Sequence, residues 1–276
     1  VNAMDLLTPE LFGFAALIIV SGLLAGFLAG LFGIGGGAIL VPVFYQMLTI
    51  ADVSEAVRMH VAVGTSLAII AATSLRSFVS HRAYGQMNDA LLKVFIVAVP
   101  AGALFASAVT ASISGASLRA IFATIAIVIA IRLLSGRLTF SLGDSLPGTF
   151  GRSVVGFLIG LLSALMGIGG GVLTNTFMTL YNRPMKEAVS TSAAVGVLIA
   201  VPGLFGYVWA GWGAAALPPF SLGFVNVLAA IIVVPVTLLM APVGVAMAHR
   251  LPERSMRIGF GLFLLVVSAR FFYSLI

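Results

Sequence analysis

Two stretches of this chain carry residues suited to holding a small solute: Gly33-Ile34-Gly35-Gly36-Gly37 and Gly167-Ile168-Gly169-Gly170-Gly171, each inside a long apolar run. Glycine permits positive φ and lets a ligand approach backbone N–H groups closely. Where such a turn opens a helix, the first turn presents unsatisfied donors and a partial positive charge, and so attracts anions. Gly35, Gly36, Gly37, Gly169, Gly170 and Gly171 are therefore candidate binding positions; the same glycines also suit tight helix packing. Thr65-Ser66 and Thr191-Ser192 place hydroxyls deep in two later apolar segments. They either donate to a solute or bond back to their own helix carbonyls. Asn175 is placed to orient a ligand oxygen or to satisfy the interrupted backbone. Arg183 and Lys186 read as loop-end charges or caps, or as charges that draw anions toward a cytoplasmic mouth.

The elements that must position these residues lie in a membrane. Of 276 residues, 61% are hydrophobic and only 8% charged, and the mean hydropathy is +1.20. Fourteen Lys/Arg and eight Asp/Glu cannot furnish the surface of a water-soluble domain of this size. The high pI is thus no sign of nucleic-acid binding, because the basic residues fall in short loops where membrane orientation accounts for them. The chain has no cysteine, which excludes disulfides and thiolate metal sites. Val1-Asn2-Ala3 ahead of Met4 reads as a cloning remnant.

Charges, turns and Pro/Gly clusters divide the chain into ten apolar segments, near 10–32, 35–49, 57–80, 91–111, 117–135, 151–166, 169–181, 188–210, 221–248 and 255–275. A crossing helix needs about 20 residues, so the second and seventh segments are expected as half-helices or re-entrant pieces. With both termini outside, Arg76, Arg82, Lys93, Arg132, Arg137, Arg152, Arg183, Lys186, Arg250, Arg254 and Arg257 face the cytoplasm and only Arg58, Arg119 and Arg270 face out. That asymmetry sets the expected orientation.

The glycine motif belongs to a longer repeat. Gly22-x-Leu24-x-Gly26 recurs as Gly156-x-Leu158-x-Gly160, Ala62-Val63-Gly64-Thr65-Ser66 as Ala188-Val189-Ser190-Thr191-Ser192, Gly85 as Gly211, and Pro100-x-Gly102 as Pro242-x-Gly244. Ser117-x-Arg119 with Arg132 recurs as Ser255-x-Arg257 with Arg270. The matching requires an insertion near Asp52 to His60 in the first half. Five segments per half is an odd number, so the halves enter the membrane from opposite sides. The expected fold is all-α and polytopic, with two inverted five-segment repeats: 1–3 the remnant, 4–136 the first membrane repeat, 137–150 a cytoplasmic linker and 151–276 the second repeat. Paired interrupted helices in inverted repeats are a plan of secondary transporters.

Enzyme signatures such as HExxH, GxSxG and the phosphate-binding Gly-rich Lys loop are missing from the sequence. No catalytic residue, cofactor or metal is expected.

The motifs in their extended forms, Ala29-Gly30-Leu31-Phe32-Gly33-Ile34-Gly35-Gly36-Gly37 and Ser163-Ala164-Leu165-Met166-Gly167-Ile168-Gly169-Gly170-Gly171, with the two Thr-Ser pairs downstream, resemble the TauE/SafE sulfite exporter family, also called the toluene sulfonate uptake permeases. The resemblance implies a bacterial or archaeal inner-membrane permease for a small sulfur-containing anion such as sulfite or an organosulfonate, with no nucleic-acid partner. A channel-like anion facilitator and a non-transporting membrane scaffold are the alternatives. The direction of transport and the coupling ion are not written in the residues.

Overall fold

The computed structural model describes residues 9–32, 36–82, 87–135, 141–248 and 252–274. Residues 1–3, Gly85, Arg137 and Arg250 of the reading above lie outside them. Ten helices follow in order: α1 (Pro9–Phe32), α2 (Gly37–Ile50), α3 (Glu55–Arg82), α4 (Asp89–Thr110), α5 (Gly115–Ser135), α6 (Thr149–Met166), α7 (Gly171–Leu180), α8 (Met185–Ala210), α9 (Val227–Ala248) and α10 (Glu253–Tyr273). Helix is the required form here, since only internal hydrogen bonds satisfy the backbone in lipid. Among the described residues, six helices have the length and apolarity to cross a bilayer.

The second and seventh elements are short, as expected. α2 has 14 residues and α7 has 10, about 21 and 15 Å at the α-helical rise, against a hydrocarbon core of about 30 Å. α2 is one turn longer than α7. Segment nine differs from expectation. Residues Ser221–Leu222 (β1) and Val225–Asn226 (β2) form a small antiparallel hairpin before α9 begins. Pro218-Pro219 and Gly223, at φ 56°, break the helix there, while apolar Phe220, Leu222 and Phe224 make the stretch look like part of a span.

α3 and α8 form the centre. Two-thirds of each membrane window is buried, 67% in both cases, against 22% for α9. They run antiparallel: Gly64 meets Tyr207, Leu67 meets Gly203 and Ser74 meets Gly196. α5 and α10 are antiparallel too, with Phe122 edge-on to Phe271 and Gly261 against Leu134. Around them α1 packs along α9 and α6 along α4. Small residues set those two contacts, because a side chain would collide with backbone: a Cβ on Gly26 would lie 2.5 Å from the Thr237 carbonyl oxygen, and one on Gly160 would lie 2.1 Å from that of Val99.

The two contacts share a register. Gly22 meets Val233 and Val236 on α9, and Gly156 meets Phe95 and Ala98 on α4. The helices also start alike: Asn88 Oδ1 accepts from Leu91 N–H and Asn226 Oδ1 from Ala229 N–H, both at 2.9 Å. Counted from these asparagines, Gly102 stands opposite Met240, one turn before Gly244. The Pro-x-Gly match is thus shifted by a turn from the equivalence that packing gives. Each glycine serves its own helix crossing, Gly102 at Phe157 and Gly244 at Phe27.

Candidate functional site

The second glycine loop is built by the end of α6. Gly167 adopts φ 64°, which sends the Ile168 N–H back to Ser163 O (3.0 Å) and closes the helix. Two inner helices hold the exposed carbonyls: Tyr207 OH donates to Ala164 O at 3.2 Å, and Ser66 Oγ donates to Gly167 O at 2.9 Å. Gly170, at φ 68°, then turns the chain into α7, and its carbonyl accepts from Thr174 N–H at 2.9 Å. The N–H groups of the first turn, beginning at Gly171, precede any helical acceptor.

The first loop is described from Gly36 onward; Gly33, Ile34 and Gly35 lie outside the described residues. Gly36, at φ 81°, opens α2, and its carbonyl accepts from Ile39 and Leu40 N–H at 3.1 and 3.2 Å. The two loops touch. A Cβ on Gly37 would lie 2.0 Å from Gly167 O and 2.9 Å from Ile168 Cα, with Ile70 of α3 beside them. α2 therefore begins against the C-terminal end of α6, four residues before α7 starts, with α3 alongside.

Around the second loop stand hydroxyls with unmet hydrogen-bonding capacity. Ser163 of α6, Ser74 of α3 and Thr174 of α7 are at most 1% exposed, and their side-chain oxygens have no partner. Ser163 Oγ lies 3.5 Å from the point where a Gly170 Cβ would stand. Ser74 Oγ and Gly169 O lie 2.6 and 3.0 Å from the corresponding point on Gly196 of α8. Ser77, one turn past Ser74, is buried and unpartnered as well. A buried hydroxyl without a partner is costly unless something meets it. Four helices thus converge on Gly169-Gly170 with donors to spare.

The other expected site residues fall into separate groups. Ser66 is beside the loop but donates to Gly167 O. Thr65 and Thr191 hold the helix starts: Thr65 Oγ1 accepts from Asn226 N–H at 2.8 Å, and Thr191 Oγ1 from Asn88 N–H at 3.0 Å. Ser192 Oγ donates to Val189 O at 2.8 Å within its own helix. Asn175 is buried next to Thr174. Arg183 and Lys186 follow the far end of α7, about 15 Å from its first residue by helical rise; Lys186 is exposed and Arg183 partly so.

Ser74, Ser163 and Thr174 did not stand out by motif. A signal for them exists in the repeat itself. Counted from the glycine motifs, Ser163 stands opposite Ala29 and Thr174 opposite Leu40; counted from the Thr-Ser pairs, Ser74 stands opposite Ala200. A position polar in one copy and apolar in the other marks where the copies have different tasks.

A buried cation lies elsewhere. Arg119, 4% exposed, donates to Tyr45 OH (2.8 Å) and Ser274 O (3.1 Å) and pairs with Glu55. Glu55 opens α3, and Tyr45 belongs to α2. This cluster ties α2, α3, α5 and α10 together at one end of the bundle.

Comparison with known proteins agrees with this architecture. Residues 18–271 match the family described as sulfite exporter TauE/SafE. A probable membrane transporter protein of Haemophilus influenzae is 33% identical over 266 residues, covering 95% of this chain and 99% of that protein. One of Methanocaldococcus jannaschii is 26% identical over 243 residues, covering 88% and 89%. One of Bacillus subtilis is 27% identical over 214 residues, covering 71% and 78%. No solved structure matches the chain. The chain is a multi-pass membrane transporter, not an enzyme, and belongs to the sulfite exporter TauE/SafE family.

Proposed function

We propose that this transporter is a secondary carrier for a small sulfur-containing anion, sulfite or an organosulfonate, bound at the half-helix N-termini. The observation that carries the reading is the set of buried, unpartnered hydroxyls of Ser74, Ser163 and Thr174 around Gly169 and Gly170. An oxyanion offers only acceptors, and hydroxyls and first-turn amides offer donors. Gly36, Gly37, Gly169, Gly170, Gly171 and Asn175 complete the proposed cradle, and Ser66 fixes its outline. Thr65, Thr191 and Ser192 act in this reading as positioning residues.

The two halves act as inverted repeats. In support, exchanging α1–α5 for α6–α10 maps the main packed helix pairs onto one another, while α3 and its counterpart α8 run antiparallel. Alternating access then follows from rocking of one half against the other about the central site. The chain sits in the cytoplasmic membrane with both termini outside, and Arg183 and Lys186 attract anions at the inner mouth.

The test is sulfite flux by purified protein in liposomes. A carrier gives saturable uptake stimulated by sulfite on the opposite side, and Gly170→Ala abolishes it. Ohmic single-channel currents would replace the carrier by a channel, and uptake unchanged in Gly170→Ala would remove the site.

A further inference from the structure

A groove between α2 and α10, away from the glycine loops, is apolar along its walls and polar at one end. α10 packs along α5 and α2 along α3, and the space left between α2 and α10 is a cavity of about 280 Å³. Its floor is buried: Val267, with Tyr45 and Phe271 edge to face at 5.4 Å between ring centroids. Its rim is Pro42 and Val43 of α2 and Phe263 and Val266 of α10, and Val266 is 65% exposed. Gln46, Arg270 and Ser274 line the polar end, beside the exposed Tyr273, a residue type that settles at the membrane–water interface. From Phe263 along α10 to Arg270 is about 10 Å, and to Tyr273 about 15 Å. The groove therefore runs from the interface about half-way through a hydrocarbon core of about 30 Å, the depth of one leaflet.

The polar end is also basic. Arg270 Nη2 donates to the Gln46 amide oxygen at 2.6 Å, which uses one of a guanidinium's five donors. Among the described residues no carboxylate pairs with Arg270; the ion pair at this end joins Arg119 to Glu55. Arg58 and Arg119 lie over the Tyr45 ring, 5.8 and 5.5 Å from its centroid. Against these three arginines stand Glu55 and the exposed Asp52 beyond the end of α2, so positive charge is in excess. Arg132, which matches Arg270 in the sequence repeat, is instead tied to protein, donating to Thr176 O of α7 at 3.4 Å. A guanidinium takes phosphate through parallel N–H bonds, and basic residues at headgroup level attract anionic lipid. An apolar slot one leaflet deep, with an uncompensated arginine at its mouth, complements a lipid in both shape and charge.

We infer that the groove between α2 and α10 binds an anionic phospholipid, with one acyl chain against Pro42, Val43, Phe263 and Val266 and the phosphate on the remaining donors of Arg270. Native mass spectrometry of the detergent-purified protein, titrated with phosphatidylglycerol and with phosphatidylcholine of the same chains, tests it. One phosphatidylglycerol held at least fivefold more tightly than phosphatidylcholine, with Arg270→Gln removing the preference and Arg254→Gln keeping it, supports the inference. Arg254 is exposed near the opposite end of α10, so its loss reports on surface charge alone. Val266→Trp fills the groove from its exposed rim and should weaken phosphatidylglycerol about fivefold as well. Equal binding of the two lipids, or equal loss of preference in Arg270→Gln and Arg254→Gln, overturns the inference. Displacement of the lipid by equimolar sn-glycerol 3-phosphate, which has the anionic head without the chains, overturns it too and marks a site for a free anion.

Discussion

The two glycine loops share a sequence and differ in what surrounds them. Gly36 packs against backbone, its would-be Cβ 2.6 Å from Ala25 O, and the positions that answer Ser163 and Thr174 in the first half are the buried apolar Ala29 and Leu40. Gly170 instead faces the ends of side chains, Ile199 Cδ1 and Ser163 Oγ, within a ring of unpartnered hydroxyls. In the proposed reading one loop is a packing joint and the other carries the polar half of the cradle. The lesson is that a duplicated motif duplicates backbone geometry, here a positive φ ahead of a short helix, and leaves each copy free to specialise in side chains.

The largest effects should separate the loops directly. Both glycines sit at positive φ, so alanine at either costs roughly 1–2 kcal/mol of backbone strain. At Gly36 the added carbon meets a carbonyl that cannot move away; Gly36→Ala is expected to lower the thermal midpoint strongly and to reduce the yield of folded protein. At Gly170 the neighbour is the tip of a flexible isoleucine, so Gly170→Ala should remain folded while losing transport by at least about 100-fold. Equal loss of stability in both variants would erase the distinction between joint and cradle. A smaller effect tests the hydroxyls. Ser163→Ala and Ser74→Ala each remove one donor to an anion, worth about 1.5–3 kcal/mol, and should lower kcat/KM roughly tenfold or more with no fall in thermal midpoint. Because the unpartnered oxygens are themselves a burden in the empty protein, a slight gain in stability is expected. The mirror change Ala29→Ser should leave kcat/KM within twofold, and a large effect there would mean that the first loop binds ligand as well.

Much of the fold could be read from residues alone, since hydropathy and loop charge follow directly from the lipid solvent. The ten segments and the undersized α2 and α7 needed nothing more. What escaped were features decided by contact. The β1–β2 hairpin is apolar enough to pass for membrane despite Pro218-Pro219, and its pairing and the positive φ at Phe220 and Gly223 reveal the turn. The Pro-x-Gly pairs suggest one register and the packed glycines another, because each Gly answers to its own partner helix. At the site, the conspicuous repeated residues Thr65 and Thr191 hold helix starts together, whereas Ser163 and Thr174 gain meaning through their contrast with Ala29 and Leu40. A hydroxyl in a membrane helix is ambiguous until its partner, or the lack of one, is known.

The smallest expected effect tests the part of the comparison in which the halves remain equal. Thr65 and Thr191 accept from the N–H of Asn226 and Asn88, and each asparagine caps the helix that follows it. The locks join α3 to the start of α9 and α8 to the start of α4, so each ties a central helix to an outer one. Thr65→Val and Thr191→Val keep volume and shape but leave one part-buried N–H without its acceptor, a loss of about 1 kcal/mol. Both variants should therefore lower the thermal midpoint by similar amounts and change kcat/KM less than twofold. Asn88 differs in one respect, since its Nδ2 also donates to Glu187 at 2.6 Å, while that of Asn226 donates to the Pro219 carbonyl. Asn88→Ala thus strands a charged partner and Asn226→Ala a neutral one, and the first should be the more destabilising. If the two threonine variants diverge instead, with one losing transport and the other only stability, the locks are not equivalent. The hydroxyl of the transport-defective one would then belong with the ligand, among Ser74, Ser163 and Thr174.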